Sequence, residues 1–266
     1  MSLLIDQQKC IGCSLCAKDC LRGCLEVQDG RAVAVNNMCF YCGHCVAVCP
    51  TGAIAIPELQ MERVEELNGV SMDPHQLQLF MSGRRSIRHY QKRPVEREKL
   101  EEILETGRMT PTASNLQNLR FVVIQDQLPE IRTQVVETLY QNADAVAKEK
   151  GNRLYKDRFI KMREDLARGK DMLFYDAPAL VVVIEQGYSV VNGALAASRM
   201  ELTAAALGLG ICYNGFFVFA TEKDPALREK LGCSRHDNIA AAFTVGYPDI
   251  AFRRTAPRLP VRAKWM

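Results

Sequence analysis

The sequence predicts a chain in two parts: a small domain wrapped around a cysteine repeat, then a larger domain that mixes helices with short apolar strands. Three observations predict this. Nine of the eleven cysteines fall within residues 10–49, eight of them as Cys10, Cys13, Cys16, Cys20 and again as Cys39, Cys42, Cys45, Cys49. All four recur at one offset of 29 residues, which makes the stretch an internal repeat. Further along, segments with helical spacing alternate with short apolar runs. With 266 residues, 48% hydrophobic and 24% charged, the chain can bury one good-sized core and a small one.

Residues 1–60 make the first part. Short β-like runs flank each cysteine loop: Leu3 to Ile5 and Leu25 to Val27 around the first, Ala32 to Val35 and Ala53 to Ile56 around the second. The spacing C-x2-C-x2-C-x3-C, completed by Pro50 in the second copy, is that of thiolates around [4Fe–4S] cubanes. Three closely spaced cysteines wrap one cluster, and the fourth, a turn further on, points away to its neighbour. The expected ligand sets are Cys10, Cys13, Cys16 and Cys49 for cluster I, and Cys39, Cys42, Cys45 and Cys20 for cluster II. Structural zinc uses separated C-x2-C pairs instead. A disulfide framework needs an oxidising compartment, and residues 1–9 lack the basic start and apolar run of a secretory leader. Cys24 is surplus to eight ligands and reads as a small buried apolar residue. A domain of this size buries too little to fold alone, so the clusters supply much of its cohesion.

Residues 61–74 read as a charged linker. From Pro74, Leu77, Leu79, Phe80 and Met81 suggest a short helix that Gly83 stops, followed by Arg84-Arg85-Ser86-Ile87-Arg88. Residues 96–108 are expected to be helical, with Leu100, Ile103 and Leu104 on one face. The polar loop Thr110 to Asn118 runs into a strand, Phe121 to Ile124, and Pro129 opens a helix that carries Ile131, Val135, Leu139 and Val146. Residues 148–171 hold nine Lys or Arg against five Asp or Glu, interleaved with Tyr155, Phe159 and Met162. They read either as a solvated helix pair or as a mobile cover whose charge draws in an anionic substrate or acidic partner.

Ala179 to Glu185 is an apolar run of the right length for a buried strand. Residues 189–207 give an alanine-rich helix, whose small surface suits close packing in a domain centre or dimer, ended by Gly208 and Gly210. The Asn214-Gly215 turn, a helix from Pro225 to Leu231 and a strand from Ile239 to Val245 follow. The basic tail, Arg253 to Met266, is punctuated by proline and so extended.

Several function classes are set aside. No apolar run approaches the ~18 residues of a membrane span, and the basic tail lacks the interleaved aromatics of a nucleic-acid surface. His44, His75, His89 and His236 show no metal-ligand spacing, no nucleophilic triad is visible, and Cys212 and Cys233 read as core residues. Two oxidised clusters at about −2 each bring the formal charge of +3 to roughly −1. Iron–sulfur centres and free thiols imply a reducing cytoplasm.

The cysteine repeat resembles bacterial two-cluster ferredoxins over about residues 1–60. Four separated stretches of about residues 75–262 resemble the FMN-dependent nitroreductase family, and the combination is similar to the ferredoxin–nitroreductase fusions of anaerobes. The resemblance implies an α+β fold with a central, mostly antiparallel sheet flanked by helices, and a homodimer with FMN at its interface. Arg84, Ser86 and Arg88, with Arg85 among them, match the family's phosphate motif; guanidiniums and a hydroxyl offer charge-assisted donors. Thr112, Asn115 and Gln117 match the loop that reaches the ribityl chain and the isoalloxazine edge. Asn214 and Gly215 match the segment whose backbone faces flavin N5, and Arg253 and Arg254 match the final phosphate contacts.

The function implied is an FMN-dependent reductase. An external donor such as ferredoxin loads the clusters singly, and the flavin delivers two electrons, as hydride from N5, to a small acceptor such as a nitroaromatic or quinone. Two alternatives stay open. In one, NAD(P)H reduces the flavin and the clusters export electrons to a partner. In the other, the protein binds flavin as a redox sensor without turnover.

Overall fold

The structure, a computed structural model, describes residues 3–149, 151–187 and 189–266; Met1, Ser2, Lys150 and Tyr188 lie outside the described residues, so parts of the 1–60 and 148–171 expectations fall there. The chain forms two compact units, Met1–Ser71 with Thr112–Leu116, and Met72–Pro111 with Gln117–Met266. The polar loop of residues 110–118 is therefore divided between them, and residues 61–71 belong with the first unit.

In the first unit, β1 (Leu4–Ile5) leads to α1 (Leu15–Asp19), the hairpin β2 (Leu25–Gln28) and β3 (Arg31–Ala34), α2 (His44–Ala47) and β4 (Ile54–Ala55). β1 pairs antiparallel with β4, and β2 with β3. The hairpin turns on Asp29 and Gly30, both left-handed at φ 50° and 74°, the conformation that a two-residue turn of this hand requires. The repeat persists in the backbone. Gly12 and Tyr41, 29 residues apart, are both left-handed (φ 67° and 54°), as are Ser14 and Gly43 (φ 67° and 73°) at the starts of α1 and α2. The core is small: Cys10, Cys16 and Cys45 with Leu25, Ala32, Ala53, Ile54 and Ile56.

The second unit begins with α3 (Pro74–Gly83), whose first turn is capped by the Asp73 carboxylate accepting from Gln76 N at 2.8 Å. Then come α4 (Arg97–Arg108), β5 (Leu119–Ile124), α5 (Leu128–Gln141), α6 (Ala143–Glu149), α7 (Leu154–Ala167) and β6 (Ala179–Gln186). α8 (Val191–Ala206), β7 (Gly210–Tyr213), α9 (Gly215–Lys223), α10 (Pro225–Lys230) and β8 (Asp237–Gly246) complete it. The sheet runs β5-β6-β8-β7, antiparallel at every pairing.

β6 explains the architecture. Its side chains alternate: Leu180, Val182 and Ile184 enter one core, while Ala179, Val181 and Val183 enter another. Helices α5, α6, α7, α9 and α10 cover the first face, and α4 with α8 covers the second. A strand buried on both faces has no polar side, which is why its sequence reads as an unbroken apolar run. Each of its Val, Leu and Ile side chains contributes about 1.5–3 kcal/mol relative to exposure. The basic segment is more firmly built than a solvated helix pair, since Phe159 and Met162 on α7 are almost fully buried in the first of these cores.

Candidate functional site

Each unit gathers its own chemistry-bearing side chains. In the first, the repeat cysteines sort into two groups. Cys10, Cys13, Cys16 and Cys49 line one cavity, closed by apolar neighbours such as Val27 and Ala32. Cys39, Cys42 and Cys20 lie near Cys45, whose thiol is pushed up to about 11 by burial first and then by these neighbours. The fourth cysteine of each run thus joins the first three of the other.

Backbone N–H groups point at four of the sulfurs. Ala32 N lies 3.3 Å from Cys10 Sγ, Tyr41 N 3.3 Å from Cys39 Sγ, Cys24 N 3.2 Å from Cys20 Sγ and Ala53 N 3.3 Å from Cys49 Sγ. Such donors favour an anionic sulfur. Cys24 stands one repeat length before Ala53, and both are buried and give their N–H to the fourth cysteine of their run. Cys24 therefore fills a small buried position of the repeat, with its thiol raised to about 11 chiefly by burial. Among the described residues, no three of His, Cys, Asp and Glu could share a single metal ion.

In the second unit, the chain leaves α3 extended at Arg84 (φ −61°, ψ 139°), and Ile87 N bonds to Ile211 O of β7 at 2.9 Å. Extended backbone sends alternate side chains to one face. Arg84, Ser86 and Arg88 accordingly run along β7. Arg84 Nε meets Glu201 Oε1 at 2.7 Å as an ion pair outside hydrogen-bond alignment, and Tyr213 bonds the same carboxylate. Ser86 and Arg88 both reach the thiol of Cys212, which burial pushes up. Arg85 goes the other way: Nη1 donates to Ser82 O at 2.7 Å and to Arg84 O, while Nη2 is buried with no partner among the described residues.

Arg88 opens into a pocket of about 380 Å³, together with Arg158 and Tyr155 of α7, Tyr175, Cys212 and the Asn214-Gly215 turn. The Arg88 guanidinium sits 5.8 Å from the Tyr175 ring centroid, and that of Arg158 4.7 Å from Phe216. Neither arginine is paired with a carboxylate among the described residues. Asn214 is fixed by the fold: Oδ1 accepts from Phe217 N at 2.9 Å as the cap of α9, and Nδ2 donates to Leu173 O at 2.7 Å. Cationic and aromatic walls of this kind suit a flat, anionic, aromatic guest.

The sequence-predicted residues are thus only partly gathered. Arg88, Asn214 and Gly215 share the pocket, Ser86 adjoins it through Cys212, and Arg84 is engaged by Glu201. Thr112 and Asn115 belong to the first unit, Gln117 to the second. Within the first unit, the Asn115 amide is hydrogen-bonded to carbonyls of the Cys39–Cys42 loop. Arg253 and Arg254 are exposed in the extended tail and do not line the pocket. Cys212 is buried yet forms part of the pocket wall, more than the core residue expected. Arg158, Tyr155 and Tyr175 carry no site motif; the one signal for Arg158 and Tyr155 is the interleaving of basic and aromatic residues along residues 148–171, and Tyr175 lies beyond it.

Residues 81–247 match the Nitroreductase family. The chain belongs to the nitroreductase family. Like that family it is an oxidoreductase, and it carries an additional segment, since residues 9–53 match the 4Fe-4S dicluster domain. A ferredoxin of Methanothermococcus thermolithotrophicus is 42% identical over 60 residues, 21% of this chain and 100% of the relative. An Archaeoglobus fulgidus protein described as an NADH dehydrogenase/NAD(P)H nitroreductase is 27% identical over 172 residues, 62% of this chain and 81% of the relative. The chain spans only 18% of the length of another relative, one component of an ion-translocating oxidoreductase complex of Methanosarcina acetivorans. The crystal structure of a Bacteroides fragilis nitroreductase with bound FMN has a TM-score of 0.56 at 19% identity, covering 73% of this chain and 100% of its own, a likeness of fold. No helix among the described residues is long and apolar enough to cross a membrane.

Proposed function

We propose that this nitroreductase-family member is an FMN-dependent reductase that takes single electrons through two [4Fe–4S] clusters and reduces a small organic acceptor, such as a nitroaromatic or quinone, by two electrons. The observation that carries the reading is the crossed grouping of eight cysteines on a chain that also holds the Arg88–Arg158 pocket. In this reading Cys10, Cys13, Cys16 and Cys49 ligate one cluster, and Cys39, Cys42, Cys45 and Cys20 the other.

The second unit fits FMN by the chemistry of its donors. Arg88, and Ser86 beside it at Cys212, offer positive charge and N–H or O–H groups to a phosphate. Tyr155 and Phe216 keep water from the pocket wall, and Gly215, with nothing within 4 Å of where a Cβ would stand, leaves the backbone open to a flat ring. Bound there, FMN joins single-electron input to two-electron output. The rigid cap at Asn214 holds the Gly215 backbone in one orientation.

The unit also exposes an apolar surface that a second copy would cover. None of α3 is buried, although it carries Leu77, Leu79, Phe80 and Met81. Trp265 and Val261 of the tail are exposed as well. A homodimer is the reading these surfaces favour.

A second reading, in which NAD(P)H loads the flavin and the clusters export electrons, draws on the description of the Archaeoglobus relative. The first test of the leading reading is anaerobic purification with iron, sulfide and flavin analysis. It predicts about eight irons, about eight sulfides and about one FMN per chain. Zinc in place of iron, or no flavin after reconstitution with FMN, would overturn it.

A further inference from the structure

We propose that Asn115 is a positioning residue for cluster II, holding the peptide whose N–H contacts the sulfur of Cys39. The inference rests on the reading that Cys39 ligates a cluster. The Asn115 Nδ2 group donates to Phe40 O at 2.9 Å and to Tyr41 O at 2.8 Å. Phe40 C=O and Tyr41 N–H are the two ends of one peptide group, and Tyr41 N lies 3.3 Å from Cys39 Sγ. A donor on the carbonyl end polarises the N–H end and fixes the plane of the peptide. Asn115 therefore acts on Cys39 through one rigid unit.

The repeat shows why cluster II needs this support. Gly12, at the matching place in the first run, is left-handed at φ 67°, which glycine adopts without penalty. Tyr41 takes the same conformation, φ 54°, with a bulky side chain. A non-glycine residue persists there when its surroundings over-determine it. The Asn115 amide grips the carbonyls on both sides of the Tyr41 Cα, which locks that φ in place. Asn115 is itself left-handed at φ 52°, a conformation asparagine tolerates. In the first run the donor to Cys10 comes instead from Ala32, on the β2–β3 hairpin.

Hydrogen bonds to a cluster's sulfurs stabilise its reduced, more negative form and so raise its reduction potential. Weakening the Tyr41 N–H should lower the potential of one cluster and leave the other alone. The test is an EPR-monitored redox titration of the anaerobic holoprotein, wild type against Asn115→Gly, with iron, sulfide and flavin assayed in parallel. Glycine keeps the left-handed backbone and removes only the amide. The expected result is one cluster midpoint moved to more negative potential, with the other unchanged. If the variant loads less iron, the Tyr41→Gly/Asn115→Gly protein, whose turn no longer needs holding, should show the same downward shift. Two unchanged midpoints would overturn the proposal, and so would loss of flavin with unchanged midpoints, which would assign the amide to the flavin wall. A wild-type protein without two cluster signals would instead overturn the reading beneath it.

Discussion

Glu201 carries a carboxylate that is 6% exposed, faced by Arg84 and Tyr213. Burial is the main influence on it and raises its pKa above the ordinary 4.5, with Arg84 opposing. Removing Arg84 leaves a buried charge uncompensated, so Arg84→Ala should cost about 3 kcal/mol of stability at neutral pH. The sign of the pH dependence follows. With the folded pKa raised, the native state keeps its proton where the unfolded chain has lost it, so stability falls as pH rises above about 4.5. Denaturant midpoints at pH 5 and pH 8 should show the variant's deficit growing with pH; a deficit independent of pH would contradict this. Arg88 has no carboxylate partner among the described residues, and its removal should act on the ligand. Losing a charged hydrogen bond, about 1.5–3 kcal/mol, predicts roughly tenfold to hundredfold weaker FMN binding in Arg88→Ala. Flavin released on ultrafiltration, compared with cluster absorbance in the retained protein, measures it.

At the scale of elements, the two units differ in what holds them. The second has a sheet with a core on each face, whereas the buried core of the first includes three of its own cysteines. Stripping the iron anaerobically with a chelator should therefore raise hydrogen exchange across residues 3–71 while β6 and α8 stay protected. Equal protection before and after would show that the first unit folds without its clusters. Gly12 is a sharper probe: at φ 67°, a Cβ there would meet Gly30 O at 2.2 Å. Gly12→Ala should lower the iron content by disturbing the loop of Cys10, Cys13 and Cys16, as elemental analysis can show. Much of this architecture is legible in the sequence. The cysteine offset survives as paired left-handed residues, and β6 is visible because burial on both faces leaves no polar alternation. α9 is not legible because Phe216, Phe217, Val218 and Phe219 present no polar interval, nor is β7, whose four residues carry too little pattern. The site is less legible. Arg158 is one charge among nine in a basic segment, and the bonds from Asn115 to Phe40 and Tyr41 span 75 and 74 residues, beyond any local pattern.

In the proposed function, a one-electron device and a two-electron site share one chain, in a proposed dimer. The exposed apolar face of α3 gives the dimer a direct test: Phe80→Glu should shift the protein toward monomer in sedimentation velocity, and an unchanged assembly would place the interface elsewhere. The measurement closest to the central claim is anaerobic stopped-flow mixing of the holoprotein with reduced ferredoxin on one side and NADH or NADPH on the other, following flavin bleaching. The account predicts fast bleaching by ferredoxin, abolished in a Cys13→Ser/Cys42→Ser protein that retains its flavin, and slow bleaching by the nicotinamides. Rapid bleaching by NADH or NADPH, with the clusters filling only afterwards, would contradict it.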